Sequence, residues 1–154
     1  MEDYINVQSK TEYEAAARLF SEYAQWLGID LGFQHFDKEL QELEKMYAAP
    51  TGGIILCRSS GNFVGSVAVR KFKGDMAELK RMYVQPAFQH RGIGKALLKR
   101  SLELAKEYKY NFIRLDTLSN MLPAINLYKK YGFYEIAPYY HNPNASAVYF
   151  EKEL

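Results

Sequence analysis

The segment from Ala77 to Leu98, AELKRMYVQPAFQHRGIGKALL, constrains the fold of this chain more than any other. Its first residues alternate as in a strand, Pro86 interrupts them, and two glycines precede a helix-like run. Gly92 and Gly94 therefore lie where a helix begins, so unpaired backbone N–H groups and the positive end of the helix dipole converge on one small volume. Such a volume favours the binding of an anion.

The spacing of these glycines excludes the two best-known phosphate-binding loops. A dinucleotide fingerprint would place a third glycine at position 97, where Leu97 stands. A Walker loop would follow its Gly-Lys pair with Ser or Thr, whereas Ala96 follows here. What remains is a Gln-x-x-Gly-x-Gly pattern that begins at Gln89.

This pattern resembles the acyl-CoA binding signature of the GCN5-related N-acetyltransferase (GNAT) family, in which the loop amides hold the pyrophosphate of coenzyme A. Two flanking features match as well. A strand-like run over residues 78–84 ends just before Pro86, and an Asn-x-x-x-Ala-x-x-x-Tyr-x-x-x-Gly-Phe pattern runs from Asn120 to Phe133. The resemblance covers about residues 50 to 137 well, and the first part of the chain only by general layout.

The resemblance implies an acetyl-CoA-dependent N-acetyltransferase that moves the acetyl group from the thioester to a primary amine by direct attack. It also implies contacts with the cofactor at the positions that match the family's motifs. These are Met82, Tyr83, Val84, Gln89, His90, Arg91, Gly92, Ile93, Gly94, Lys95 and Asn120. For Asn120, capping of the following helix is an open alternative.

Acetyl transfer also needs proton-transfer groups, because an alkylammonium with a pKa of about 10.4 must be neutral to attack and the departing thiolate must be protonated. Glu78 lies 11 residues before Gln89, the offset of the general base in the histone-acetylating branch of the family. A solvated or salt-bridged glutamate, with deprotonation through a water chain, is the alternative. Tyr128 occupies the family position of the acid, with a core tyrosine as the alternative. An oxyanion donor is expected from a backbone N–H near Val84, at a bulge.

Strand alternation further predicts a shared face for Glu78, Lys80, Met82 and Val84. The acceptor is expected to bind between the first two helices and a late loop, against aromatic walls that include Tyr23, Trp26, Phe33 and Tyr139. Ordinary core packing is the alternative for each of these aromatic residues. The acceptor itself stays open among polyamine, amino acid, antibiotic, peptide N-terminus and protein lysine. A non-catalytic acyl-CoA or anion sensor and, more weakly, a nucleotide-binding domain are the alternative functions.

Composition narrows the class of partner. The net charge is +2, from 20 basic and 18 acidic residues, which argues against nucleic acid or an anionic membrane as the main partner. No apolar run approaches the roughly 18 residues of a membrane span, so we predict a cytoplasmic protein. Cys57 is alone, and neither His35 nor His141 has neighbours at metal-ligand spacing, so no metal is predicted. Homodimers are common in the family that the chain resembles, and the oligomeric state is left open.

Chain length predicts a single domain over residues 1–154, and hydrophobic periodicity with short turns predicts an α/β fold whose sheet is antiparallel at its start and parallel in the middle. The resemblance implies a mixed, mostly antiparallel sheet with helices on both faces. The resemblance adds that the two parallel central strands splay apart and admit the thioester. Thr11 and Glu14 are expected to form a capping box at the first helix. The predicted strands are 4–8, 54–58, 63–70, 76–84, 112–118, 133–136 and 147–153, and the predicted helices are 11–27, 37–47, 92–108 and one that begins near Pro123.

Overall fold

A seven-stranded mixed sheet forms the centre of the protein, which a computed structural model describes over residues 1–154. The sheet order is β1-β2-β3-β4-β5-β7-β6, and only β4 and β5 pair in parallel. The strands are β1 (Glu2–Asn6), β2 (Gly53–Ser59), β3 (Asn62–Lys73), β4 (Met76–Val84), β5 (Phe112–Leu118), β6 (Tyr134–Ile136) and β7 (Ala147–Glu153).

Helices cover both faces of this sheet, which gives two separate hydrophobic cores. One core lies under the fourth and fifth helices, and the other lies under the first three. This arrangement confirms the predicted fold class. No helix is both long enough and apolar enough to cross a bilayer. The helices are α1 (Lys10–Leu27), α2 (Phe36–Gln41), α3 (Leu43–Met46), α4 (Ile93–Glu107) and α5 (Leu122–Lys130), with short 3₁₀ turns at Gly32–Gln34 and Pro86–Phe88.

The N-cap of the first helix lies two residues earlier than predicted. Ser9, not Thr11, is the N-cap: its hydroxyl accepts from the Glu12 N–H at 3.2 Å, and the Glu12 carboxylate accepts from the Ser9 N–H at 3.0 Å. Both residue pairs fit the capping-box pattern. The earlier box is favoured because Glu12 also accepts from the Gln8 N–H at 2.8 Å and so satisfies one more donor.

The predicted helix over 37–47 is divided at Glu42. The Glu42 N–H donates to the carbonyl of Glu39, three residues back, and its φ of −126° leaves the helical region. The two short helices still place Glu39 and Tyr47 inward, against β4. Their side chains therefore become part of the support beneath the central strands.

The central parallel strands diverge. β4 and β5 pair only at Met76–Phe112, Ala77–Ile113 and Glu78–Arg114, whereas β5 stays paired with β7 as far as Leu118. The part of β4 beyond Glu78 consequently has no partner strand on that side. The splay that the resemblance implied is present, and it opens a gap between β4 and β5.

A bulge in β4 changes which way its side chains point. The pairing with β3 skips a position between Ser66 and Ala68, and Arg81 opposite has φ +58°. Glu78 and Lys80 therefore lie on the α1–α3 face, while Met82 and Val84 pack against the core under α4. The predicted shared face for these four residues is wrong because an extra residue reverses the alternation.

Candidate functional site

The loop before α4 carries a run of backbone donors without partners. Six consecutive N–H groups, from His90 to Lys95, make no hydrogen bond within the protein. The Gln89 N–H just before them donates to the Pro86 carbonyl at 3.3 Å, and helical bonding starts with the Ala96 N–H, which donates to the Gly92 carbonyl at 3.1 Å. These free donors surround the positive end of the helix dipole, so the loop is organised to bind an anion.

The two glycines of this loop serve different purposes. Gly92 has φ +84°, a left-handed conformation that a residue with a side chain adopts only at a cost. Gly94 has no such constraint, and a Cβ there would meet only the Val84 Cγ2, at an ordinary 3.9 Å. The protein itself therefore does not need a glycine at 94. A glycine there keeps open the space beside the free N–H groups, as close approach of an anion requires.

A large cavity of about 1460 Å³, its open mouth included, extends from this loop into the gap between β4 and β5. It is lined by the loop, the end of β4 and the first turns of α5. All the predicted cofactor positions except Arg91 line it: Met82, Tyr83, Val84, Gln89, His90, Gly92, Ile93, Gly94, Lys95 and Asn120. The Arg91 guanidinium instead packs over the ring of Phe88, with 5.0 Å between the guanidinium carbon and the ring centroid.

Tyr128 lies at the junction of the large cavity and a second, smaller one, since it lines both. Its ring packs in the core, 5.6 Å from Phe133 and 6.5 Å from Phe150 between centroids. Its hydroxyl has no hydrogen-bonding partner in the protein. Burial, with smaller contributions from Tyr23 and Asp116, raises the pKa of Tyr128 well above its ordinary value. The hydroxyl therefore stays protonated and can donate at the point where the cavities meet.

The smaller cavity, about 560 Å³ with its mouth, lies between the chain that follows α1, the bulged part of β4 and β5. Tyr23 and Phe33, two of the predicted acceptor-binding residues, line it. Its polar lining comes from four separate parts of the chain: Gln34, Lys80, Arg81, Asp116, Thr117 and Asn142. The gap between the strands thus gives access to two cavities of different character.

Asp116 is the acidic residue of the smaller cavity, and sequence reasoning missed it. Its Oδ2 accepts from the Tyr140 hydroxyl at 2.7 Å, and that hydroxyl in turn accepts from the side-chain amides of Gln34 at 2.9 Å and Asn142 at 3.2 Å. Burial raises the pKa of Asp116, although the bond from Tyr140 opposes the shift. The available signal was a single carboxylate, Asp116, in the strand Phe112–Leu118.

Lys80 is the cation of this cavity that lacks a close ion pair. Its side chain is only 9% exposed, and its Nζ lies 3.4 Å from the Gln34 Oε1 and 3.9 Å from the Glu78 Oε1. Burial, reinforced by the charge of Arg81, lowers the pKa of Lys80. The negative charge around Lys80 therefore does not offset the cost of burying its ammonium group.

Arg81, the other cation, is fully paired. Its Nε and Nη2 donate to the two carboxylate oxygens of Glu39 at 2.9 and 2.8 Å, and its guanidinium carbon lies 5.0 Å from the centre of the Phe36 ring. The Ser66 hydroxyl donates to the Arg81 carbonyl at 2.9 Å. These contacts fix the bulge, and they leave Lys80 as the cation available to a ligand.

Glu78 lines neither cavity. Its Oε1 accepts from the Arg70 Nε at 2.9 Å, and its Oε2 accepts from the Tyr139 hydroxyl at 2.8 Å. The salt-bridged arrangement that the sequence left open is therefore the observed one. Tyr139 belongs to this cluster and not to a cavity wall, and Trp26 lines the large cavity. The structure also contains no group of three or more His, Cys, Asp or Glu residues that could hold a metal ion.

Comparisons with known proteins agree with the fold and with the geometry of the site. The profile of the Acetyltransferase (GNAT) family matches residues 16–133. An uncharacterised N-acetyltransferase of Schizosaccharomyces pombe is 39% identical over 138 residues, which cover 88% of this chain and 85% of that protein.

Solved structures match nearly the whole fold. An acetyltransferase of the GNAT family from Staphylococcus aureus superposes with a TM-score of 0.82 at 22% identity and covers 99% of both chains. The PaiA N-acetyltransferase of Thermoplasma acidophilum, solved in complex with coenzyme A, superposes with a TM-score of 0.76 at 19% identity, over 100% of this chain and 99% of that one.

Proposed function

Because the chain belongs to the GNAT family of acetyltransferases, we propose that it transfers the acetyl group of acetyl-CoA to a primary amine by direct attack. Family membership itself supports acetyl-CoA-dependent acetyl transfer in general. The proposal for this chain rests on one observation above all: five of the six residues with free N–H groups, His90 and Gly92 to Lys95, line the same cavity that meets a second, polar cavity at Tyr128.

In this proposal the large cavity holds the cofactor. The free N–H groups bind the pyrophosphate, Gly94 allows its close approach, and Lys95 adds positive charge. The acyl arm then enters the gap between β4 and β5, where Asn120 lines the path. The thioester would thereby reach the junction at Tyr128, with the acceptor amine in the smaller cavity on the other side.

The acetyl transfer itself then needs only two groups of the protein, a backbone N–H and the Tyr128 hydroxyl. The neutral amine attacks the thioester carbonyl, a C–N bond forms, and the oxyanion accepts a hydrogen bond from a backbone N–H in the unpaired part of β4 near Val84. Collapse breaks the C–S bond, and Tyr128 donates a hydrogen bond or a proton to the CoA thiolate. Its raised pKa keeps the hydroxyl protonated, which favours donation of a hydrogen bond to the thiolate in each cycle.

The proton of the amine leaves by the second of the two routes that the sequence left open. Glu78 is fixed by Arg70 and Tyr139 through both its oxygens and lies outside the cavities, so it could act on the amine only through intervening waters. We therefore propose a water chain for deprotonation, with a small-molecule or peptide amine as the acceptor.

The test has two stages. Thermal-shift titrations compare coenzyme A with ATP, and only coenzyme A is expected to raise the melting temperature appreciably, because a ligand that binds the folded state stabilises it by RT ln(1 + L/Kd), where L is the free ligand concentration. An amine panel with detection of the released thiol then compares the native protein with Tyr128→Phe. The variant should lower kcat by about tenfold or more, as loss of a proton-transfer group does, while coenzyme A affinity stays unchanged.

Each result has a defined meaning. An unaltered kcat in Tyr128→Phe would remove Tyr128 from the acid role. Tight binding of coenzyme A together with no acetylation of any amine would favour the non-catalytic acyl-CoA sensor. Equal stabilisation by ATP would favour a nucleotide-binding domain and refute the proposed assignment of the loop.

A further inference from the structure

The charged lining of the smaller cavity points to a particular class of acceptor. We propose that this cavity binds an amino acid, that is, an amine that carries a carboxylate, with Lys80 holding the carboxylate and Asp116 holding the ammonium group before its deprotonation. The inference rests on the proposed function, since the bound amine is the nucleophile of that reaction. It adds the substrate class and two specificity-determining residues.

Lys80 supplies the first argument. Its ammonium has three donors and one hydrogen bond, to the Gln34 Oε1 at 3.4 Å. The carboxylate nearest to it, that of Glu78 at 3.9 Å, is already bound by Arg70 at 2.9 Å. A buried cation without an anion of its own is costly to the fold. A carboxylate in the cavity would supply both the charge and the acceptors that Lys80 lacks.

The neighbouring cation, Arg81, is not available to such a carboxylate. Arg81 donates to both oxygens of Glu39, and these two side chains are 4% and 1% exposed. An acidic ligand could engage Arg81 only by breaking that pair, which would leave a buried charge alone. The carboxylate of the acceptor is thereby directed to Lys80.

Asp116 supplies the second argument. Tyr140 fixes its Oδ2, whereas its Oδ1 has no partner in the protein and no cation lies within ion-pair distance. A carboxylate oriented by one oxygen and open at the other is suited to receive an ammonium group in the cavity that it lines.

The two charges are held in one frame by a single side chain. Gln34 accepts from Lys80 through its Oε1 and donates to the Tyr140 hydroxyl through its Nε2, and that hydroxyl bonds to Asp116. One amide and one hydroxyl therefore separate the cation from the anion. This spacing places a positive and a negative group in the same small cavity, which is the arrangement complementary to a zwitterion.

Matched substrates test the assignment. Each standard amino acid is compared with the amine that lacks only its carboxylate, for example phenylalanine with 2-phenylethylamine, in the presence of acetyl-CoA. For the native protein, the kcat/KM of its best amino acid should exceed that of the matched amine by about tenfold or more. This is the size expected for a hydrogen bond to a charged group. Lys80→Met should abolish that preference by raising KM for the acid, and should leave the values for the amine within about threefold.

Two further variants serve as controls. Lys71→Met removes an exposed cation from the neighbouring strand β3, outside both cavities, and should keep the preference for the acid. Asp116→Asn should lower the kcat/KM for the amino acid and for the amine alike, because both present an ammonium group. Equal use of acid and amine by the native protein, or a preference that survives Lys80→Met, would overturn the inference.

Calorimetric titration of the protein bound to coenzyme A separates this inference from the proposed function, since it needs no turnover. Selective binding of amino acids to the native protein and not to Lys80→Met, without acetyl transfer, would refute the acceptor role and leave the carboxylate site intact. Acetylation of amines without any preference for amino acids would refute the carboxylate site and leave the proposed acetyl transfer intact. Lys80→Met should itself fold with at least native stability, because it removes a poorly paired buried charge.

Discussion

The buried pair of Glu39 and Arg81 offers the sharpest test of how the fold supports the site. Glu39→Gln removes the negative charge and leaves a side chain of nearly the same shape. In the native protein Glu39 accepts two bonds from Arg81, at 2.9 and 2.8 Å, and one from the Tyr47 hydroxyl at 3.0 Å. The variant leaves the Arg81 charge in place, almost fully buried and without a counterion.

The expected loss follows from that burial. Removal of one member of a buried ion pair costs about 3–5 kcal/mol of unfolding free energy. The glutamine oxygen can still accept one bond, so we expect a value near the lower limit, about 3 kcal/mol. For a chain of this length each kcal/mol corresponds to about 2–4 °C, so the melting temperature should fall by about 6–12 °C.

Urea unfolding followed by circular dichroism measures the change. The matched control is Glu44→Gln in α3, which changes the same charge at an exposed position and should shift the free energy of unfolding by less than about 0.5 kcal/mol. The KM for acetyl-CoA should also rise in Glu39→Gln, because Arg81 forms the bulge that directs Met82 and Val84 toward the cofactor cavity.

Acid titration adds a second criterion. Burial opposes ionisation of Glu39, but the hydrogen bonds and charge of Arg81 outweigh it and hold the pKa of Glu39 below its ordinary 4.5. The pair therefore contributes its full stability above that value and loses it as the pH falls through the lower, folded-state pKa. The difference between native and variant should shrink on acidification. A loss below about 1 kcal/mol at neutral pH, typical of an exposed pair, would refute the reasoning.

Three further variants test the loop and the smaller cavity. Gly92→Ala should lower the unfolding free energy by about 1–2 kcal/mol in urea melts, because φ is +84° there; an unchanged value would contradict that conformation. Gly94→Val should lower coenzyme A affinity in calorimetry by about tenfold or more while the fold stays stable, since only Val84 lies near; intact affinity would mean that the diphosphate does not approach this residue. Asp116→Asn should be more stable than the native protein at neutral pH, and the gain should vanish below the ordinary pKa of 3.8, because a raised pKa makes ionisation unfavourable to folding. A gain that persists in acid would show another cause.

Local patterns were sufficient to predict the framework and the position of the glycine loop before α4. Strands 76–84, 112–118 and 147–153 have the predicted bounds, since alternation and turn residues determine a strand locally. Gly92 and Gly94 likewise lie at a helix start, as their sequence context predicts. In each case the signal is contained within a few consecutive residues.

The smaller cavity could not be predicted in this way because its members are distant in sequence. Gln34, Lys80, Asp116 and Asn142 come from four segments, and only the tertiary fold brings them together. The bulge at Arg81 could not be predicted for the same reason. It depends on a buried pairing with Glu39 that no local pattern records, and it reversed the alternation on which the orientation of Met82 was predicted.

The short pairing of β4 with β5 has a mechanical consequence. Three residue pairs at one end join the sheet of β1–β4 to the sheet of β5–β7, so strand pairing does not hold the two parts together along the rest of the seam. A molecule that spans the seam would act as a clamp across the two halves. Hydrogen exchange should then slow on both sides of the seam at once when acetyl-CoA binds, although only one wall carries the loop with the free N–H groups.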